Sequence, residues 1–210
     1  MVALKEASMK GLQRLGCFID TLKADVYPEI PSEPHLSITR QMIERLLAKQ
    51  GVEPGQQVLD IGCGQGLALR HFLAAGLKPV GIALGEDVLI CQQQGLDVRS
   101  MDQSFLEFDD NSFDIIWCRH ALEHSIFPYF TLAEFKRVLR SGGRLYIEVP
   151  APDTSCHHET NPNHYSVLGK SMWRSLFVRA GFAVEEEIDI DFTVPAGPDQ
   201  YWSFFLSLPA

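Results

Sequence analysis

Residues 58–66 read VLDIGCGQG: an aliphatic run, an aspartate, then glycines at 62, 64 and 66. The apolar run reads as a buried strand, and glycines this close let the next turn bring bare backbone against a ligand. A helix opening near Gln65 or Gly66 aims its unpaired N–H groups and the positive end of its dipole into that turn. Asp60 adds one fixed negative charge at the strand's end. A ligand with both an ammonium and a carboxylate matches the pair, whereas a pyrophosphate would be repelled by Asp60. The dinucleotide fingerprint G-x-G-x-x-G, counted from Gly62, wants its third glycine where Leu67 stands; here it arrives early, at Gly66.

Proton chemistry has candidates as well. His120 and His124 follow an apolar run, and Cys156-His157-His158-Glu159 with His164 crowd a later loop. Imidazole titrates near neutral pH and can take a proton from a reacting group. Each histidine also has a plainer reading: His124, in ALEH, as a helix-start residue packed under the site, and His157 and His158 as polar loop residues that move no proton. His157, Glu159 and His164 could ligate zinc or another divalent ion, but no spacing matches a finger or a helical H-E-x-x-H, so no metal is expected.

The elements that must hold these groups alternate for about 120 residues, as in a doubly wound parallel sheet. Strands are expected over 57–61, 79–84, 97–101, 113–118 and 144–149, the last entered through the break Ser141-Gly142-Gly143. Helices are expected over 67–75, 86–94 and 132–140, where Leu132, Phe135 and Leu139 share a face. A further helix over 170–180, stopped by Gly181, leads to a strand over 182–192, and a hairpin at 195–198 returns the chain antiparallel over 201–208. Residues 1–50 read as a helical extension over the site's mouth, interrupted at Pro28, Pro31 and Pro34, with an apolar stripe of Ile38, Met42, Ile43, Leu46 and Leu47. Residues 51–210 form the main domain, and the loop over 151–168 is long enough to act as a lid.

Composition narrows the partners. The chain has 210 residues, 46% apolar and 21% charged, which is one globular domain rather than a disordered chain. Its net charge of −9 argues against a nucleic-acid backbone as partner. No apolar run reaches the roughly 20 residues that span a bilayer, and the N-terminus lacks a signal-peptide core, so a cytoplasmic protein is expected. The five cysteines, 17, 63, 91, 118 and 156, are scattered and odd in number, as in reduced cytosolic proteins. Oligomeric state is not readable from the sequence.

VLDIGCGQG resembles the first motif of class I S-adenosylmethionine-dependent methyltransferases. DDNSFDIIWCRHALEHS (109–125), EFKRVLRSGGRLYIEVP (134–150) and RAGF (179–182) are similar to the fourth-strand, fifth-strand and sixth-strand regions of the small-molecule branch. The resemblance runs from about residue 37 to 190 and implies a seven-stranded α/β sheet in order 3-2-1-4-5-7-6, last strand antiparallel, with S-adenosyl-L-methionine across the carboxyl ends of strands one, two and four. It implies cofactor contacts from Asp60, Gly62, Cys63, Gly64 and Gly66 at the first motif and from Ala83 and Leu84 after the second strand. Asp102, Gln103 and Ser104 fall beside the adenine, and Cys118, Arg119 and His120 under the methyl. Asp102 also reads as the cap of a short turn. The family's ribose-holding acid is replaced here by Ala83, so Glu86, or second to it Asp87, is expected to reach back to the ribose, unless both acids merely favour a helix start.

The activity so implied is methyl transfer to a small-molecule acceptor, a sugar or natural-product hydroxyl among the options, with a base among His120, His124, His157 and His158. Two alternatives stand beside it: a catalytically silent binder of S-adenosylmethionine or S-adenosylhomocysteine, and a nicotinamide oxidoreductase, which the glycine spacing and the missing acid disfavour.

Overall fold

The structure, a computed structural model, describes residues 2–22, 30–49 and 51–209. Met1, residues 23–29, Gln50 and Ala210 lie outside the described residues, and with them Pro28 of the expected interruption. In chain order the elements are α1 (Val2–Leu22), α2 (His35–Leu47), β1 (Gln57–Ile61), α3 (Leu67–Ala74), β2 (Lys78–Ala83), α4 (Glu86–Gln93) and β3 (Val98–Ser100). There follow β4 (Phe113–Arg119), α5 (Pro128–Val138), β5 (Leu139–Pro150), α6 (Lys170–Ala180), β6 (Ala183–Val194) and β7 (Gly197–Ser207). Short 3₁₀ turns cover Leu122–His124 and His158–Thr160.

The seven strands among the described residues form one sheet in the expected order β3-β2-β1-β4-β5-β7-β6. β1 pairs parallel with β2 and β4, while β7 runs antiparallel between β5 and β6. Central strands are apolar on both faces because both are covered. One face carries Val58, Ile115, Trp117, Tyr146 and Phe205 against Ile43, Leu46 and Phe72 of α2 and α3. The other carries Leu59, Ile61, Ile116 and Ile147 against Leu132, Phe135, Trp173 and Phe177 of α5 and α6. Trp117 and Tyr146 stack at 4.0 Å between centroids, with Phe72 edge-on to Trp117 at 5.7 Å. Truncating a ring in so closed a layer costs about 3–5 kcal/mol.

Two boundaries differ from expectation. The helix expected over 132–140 begins at Pro128, whose fixed φ suits a first helical turn, and stops at Val138. β5 begins at Leu139 and runs through Ser141-Gly142-Gly143, where a break was expected. The ladder absorbs the glycines as a bulge: Phe113 faces Leu139, but Ile115 already faces Arg144.

α2 buries the stripe at Ile38, Ile43 and Leu46 and is tied to β6 by Arg45 and Lys49, which both pair with Glu186, the latter at 2.9 Å. Among the described residues, no helix is long and apolar enough to cross a membrane.

Candidate functional site

β1 ends at Ile61 and the backbone turns at once through Gly62 (φ 65°) to Gly66 (φ 78°), the cap of α3. Both are left-handed, which a side chain resists, and space forbids one too: a Cβ on Gly62 would lie 2.9 Å from the Ala121 methyl, and one on Gly66 would run into Leu96. The turn therefore lies flush against its neighbours with its backbone uncovered.

A cavity opens beside this turn at the carboxyl ends of β1, β2 and β4, the switch point of the sheet. Gly62 and Gly64, Ala83 and Leu84, Asp102, Gln103 and Ser104, and His120 and His124 all line it. Ile19 of α1, Phe127, and Asn163 and Tyr165 of the loop after β5 complete the wall. Most of the residues expected at a cofactor thus meet in one place, although they come from four separate segments, after β1, β2, β3 and β4.

Several do not reach it. Cys63 packs with Leu69, Val88 and Cys91 under the turn, and burial pushes its thiol pKa up, so it behaves as an apolar group. Cys118 is fully buried in the core. Gly66 serves the turn rather than the cavity wall. Asp60 is 2% exposed behind the wall; burial drives its pKa well above the usual carboxylate range, with Arg119 opposing, and its Oδ2 has no hydrogen-bond partner. Such a buried acceptor is satisfied by a donor such as an ammonium.

At the second strand's end, helix geometry sets the two acids in different surroundings. Glu86, first residue of α4, points to solvent, whereas Asp87, one residue on, is 7% exposed and lines the cavity. In the next loop Asp102 Oδ1 accepts the Ser104 N–H at 2.7 Å, so the capping role is present alongside its place in the wall. Gln103 donates Nε2–H to the Ala121 carbonyl at 2.7 Å, and its Oε1 is a buried acceptor without partner.

The histidines divide. His120 sits in the left-handed region (φ 51°), lines the cavity, and stacks on Tyr201 at 4.1 Å between centroids. Its Nε2 is 2.8 Å from Glu148 Oε1, which Arg119 Nε also approaches at 2.8 Å, while Tyr146 donates its hydroxyl to Oε2 at 2.5 Å. Burial and Arg119 lower the His120 pKa to about 3, so the ring is neutral. Burial alone would raise Glu148, but Arg119, His120 and Tyr146 hold it down at about 2. An ionised Glu148 can only accept, so His120 carries its proton on Nε2 and its lone pair on Nδ1. His124 donates Nδ1–H to the Asn163 carbonyl at 2.9 Å, which makes Nε2 its acceptor nitrogen. His157 is exposed, and His158 instead pairs with Asp199; neither lines the cavity.

Local spacing did not reveal Glu148, Tyr201, Asp199 or His35, whose ring meets that of His120 edge-on at 5.2 Å between centroids. Glu148 had a signal, being a lone acid within the apolar strand LYIEVP; the others owe their place to β7 and α2 folding back.

A model of the family described as "Methyltransferase domain" matches residues 59–147. The chain is 30% identical over 180 residues to 24-methylenesterol C-methyltransferase 2 of Oryza sativa subsp. japonica, covering 74% of this chain and 49% of that protein. It is 27% identical over 178 residues to 27-O-demethylrifamycin SV methyltransferase of Amycolatopsis mediterranei, covering 75% and 65%. The chain thus spans about half to two thirds of the length of these relatives. A crystal structure of a SAM dependent methyltransferase from Archaeoglobus fulgidus superposes with a TM-score of 0.68 at 16% identity, covering 82% of this chain and 94% of that one, a likeness of fold.

Proposed function

Because the chain belongs to the class I S-adenosylmethionine-dependent methyltransferases, we propose that it transfers a methyl group to a hydroxyl of a small molecule, a sugar or natural product, inside the cavity beside the β1 turn. The reading rests on one observation: the uncovered glycine turn and two histidines with defined acceptor nitrogens share a single cavity. Its sterol and rifamycin relatives support a small-molecule acceptor, the charge of −9 opposes nucleic acid, and five free cysteines suit the cytosol.

Bound S-adenosylmethionine would supply a methyl on a sulfonium whose charge is lost on transfer, which leaves the protein the tasks of alignment and water exclusion. The Gly62 and Gly64 backbone would hold the amino-acid tail, with Asp60 directly behind it offering the partnerless Oδ2 to the ammonium. Asp87 would accept from the ribose where Ala83 cannot, and Asp102 and Gln103 would flank the base. His124 Nε2 takes the hydroxyl proton. His120, which resists protonation, orients the acceptor through Nδ1, and Ile19, Phe127 and Tyr165 keep water out.

Calorimetry with S-adenosylhomocysteine, paired with turnover on a panel of hydroxylated acceptors, tests the reading. One equivalent bound plus an O-methylated product is expected. Binding without turnover across the panel favours the silent binder, and preference for a nicotinamide dinucleotide overturns the assignment.

A further inference from the structure

Away from the cavity, three side chains of different donor chemistry converge: the Cys156 thiol, the His158 imidazole and the Asp199 carboxylate, with ligand atoms all within 4.8 Å of one another. His158 Nε2 lies 3.0 and 3.1 Å from the two Asp199 oxygens. The His158 and Asp199 side chains are 11% and 3% exposed. Asp199 comes from β7 and the other two from the loop after β5, 41 residues earlier for His158, so local spacing could not show the group.

The frame is rigid. The loop is fastened to β7 by Ser155 N–H to the Pro198 carbonyl at 3.1 Å and Ala151 N–H to the Gln200 carbonyl at 3.0 Å. The Gln200 N–H also orients Asp199, donating to Oδ1 at 2.9 Å, in the way outer partners orient metal ligands.

A thiolate, an imidazole and a carboxylate together suit zinc; magnesium and calcium call for oxygen alone. Zinc bonds of about 2.0–2.3 Å give ligand–ligand edges of about 3.3–3.8 Å, so the trio closes on an ion with side-chain shifts of about 1 Å. The geometry points to a zinc site formed by Cys156, His158 and Asp199, with water in the fourth position, that clamps the loop after β5 onto β7. Binding releases the thiol proton to solvent, and His158 ligates as the neutral ring, its proton passing from Nε2 to Nδ1 so that the Nε2 lone pair faces the ion. The clamp bears on the cavity indirectly: the His158 ring packs against His164 and Tyr201, and Tyr201 stacks on His120.

The test uses the full chain, stripped with a chelator and titrated with zinc chloride, then with cobalt(II), whose thiolate charge-transfer band reports Cys156 directly. One equivalent of zinc is expected. Cys156→Ser should abolish the cobalt band, and Cys156→Ser and Asp199→Asn should each weaken zinc by at least about tenfold. His157→Ala and Cys17→Ser should bind as the parent does. Zinc should also shield Cys156 from alkylation in the unaltered chain, which keeps the question open to test if a variant misfolds. No zinc uptake, no shielding, or a cobalt band that survives Cys156→Ser overturns the site. None of these readouts depends on the proposed methyl transfer.

Discussion

His120 Nε2 and Glu148 Oε1 are 2.8 Å apart, and the carboxylate is completely buried between that ring, Arg119 and Tyr146. The pair joins the wall of the cavity to the middle of the sheet. One acid fixes the tautomer of a ring in the site and neutralises a cation in the core.

Glu148→Gln keeps the shape of the side chain and removes the charge, leaving Arg119 without its counterion. Breaking a buried pair in this way costs about 3 kcal/mol. Urea unfolding should show it; a change under about 0.5 kcal/mol would mean that Arg119 is solvated despite its 12% exposure.

Stability should fall on acidification. Burial and Arg119 lower His120 to about 3, and burial followed by His124 and His158 lowers His164 to about 4, both from 6.5. Between those values the unfolded chain binds more protons than the folded one, so this stability is complete above pH 6.5 and is lost as pH drops toward 3. Glu148, held at about 2 against 4.5, adds a further loss as pH drops from 4.5 to 2. The melting temperature should therefore decline steadily from about pH 7 to pH 5, and His120→Gln with His164→Gln should flatten that stretch. A level profile in the parent chain contradicts the neutral, buried histidines.

The two acids at the start of α4 should separate cleanly. Asp87→Asn is expected to weaken S-adenosylhomocysteine by about tenfold or more, since a charged hydrogen bond is worth about 1.5–3 kcal/mol. Glu86→Ala, on the exposed side, should leave affinity unchanged. The opposite pattern would restore Glu86 to the ribose.

Gly62→Ala combines a left-handed backbone with a methyl 2.9 Å from Ala121, whereas Gly64→Ala meets nothing within 4 Å. Each should cost about 1–2 kcal/mol for the backbone alone. Only Gly62→Ala should cost clearly more in thermal unfolding; equal losses would show that Ala121 yields.

The alternation of strands and helices and the cavity's position were legible because glycine spacing, apolar runs and helix stops are local signals that the tertiary structure did not override, whereas the strand order was implied by the family resemblance alone. Ser141-Gly142-Gly143 misled for the same reason: glycines read as a break also make a bulge, and only the partner strand decides which. Glu86 and Asp87 are adjacent in sequence, and only the fold shows that the first faces solvent while the second is buried in the cavity wall. His158 looked like one of a run of loop histidines, while its partner Asp199 lies on a strand that the sequence read as beginning at residue 201 and the fold begins at Gly197.

The insertion of β7 between β5 and β6 sets an order of assembly. A nascent chain stopped before Gly197 leaves the Arg144–Pro150 edge of β5 bare, without Tyr201 behind His120 or Asp199 beside His158. Catalytic competence would then be gained only after the β6–β7 hairpin has been made and slots home. Protease digestion of stalled ribosome-bound chains would detect that delay as an abrupt gain of resistance, and its appearance in chains lacking the hairpin would refute it.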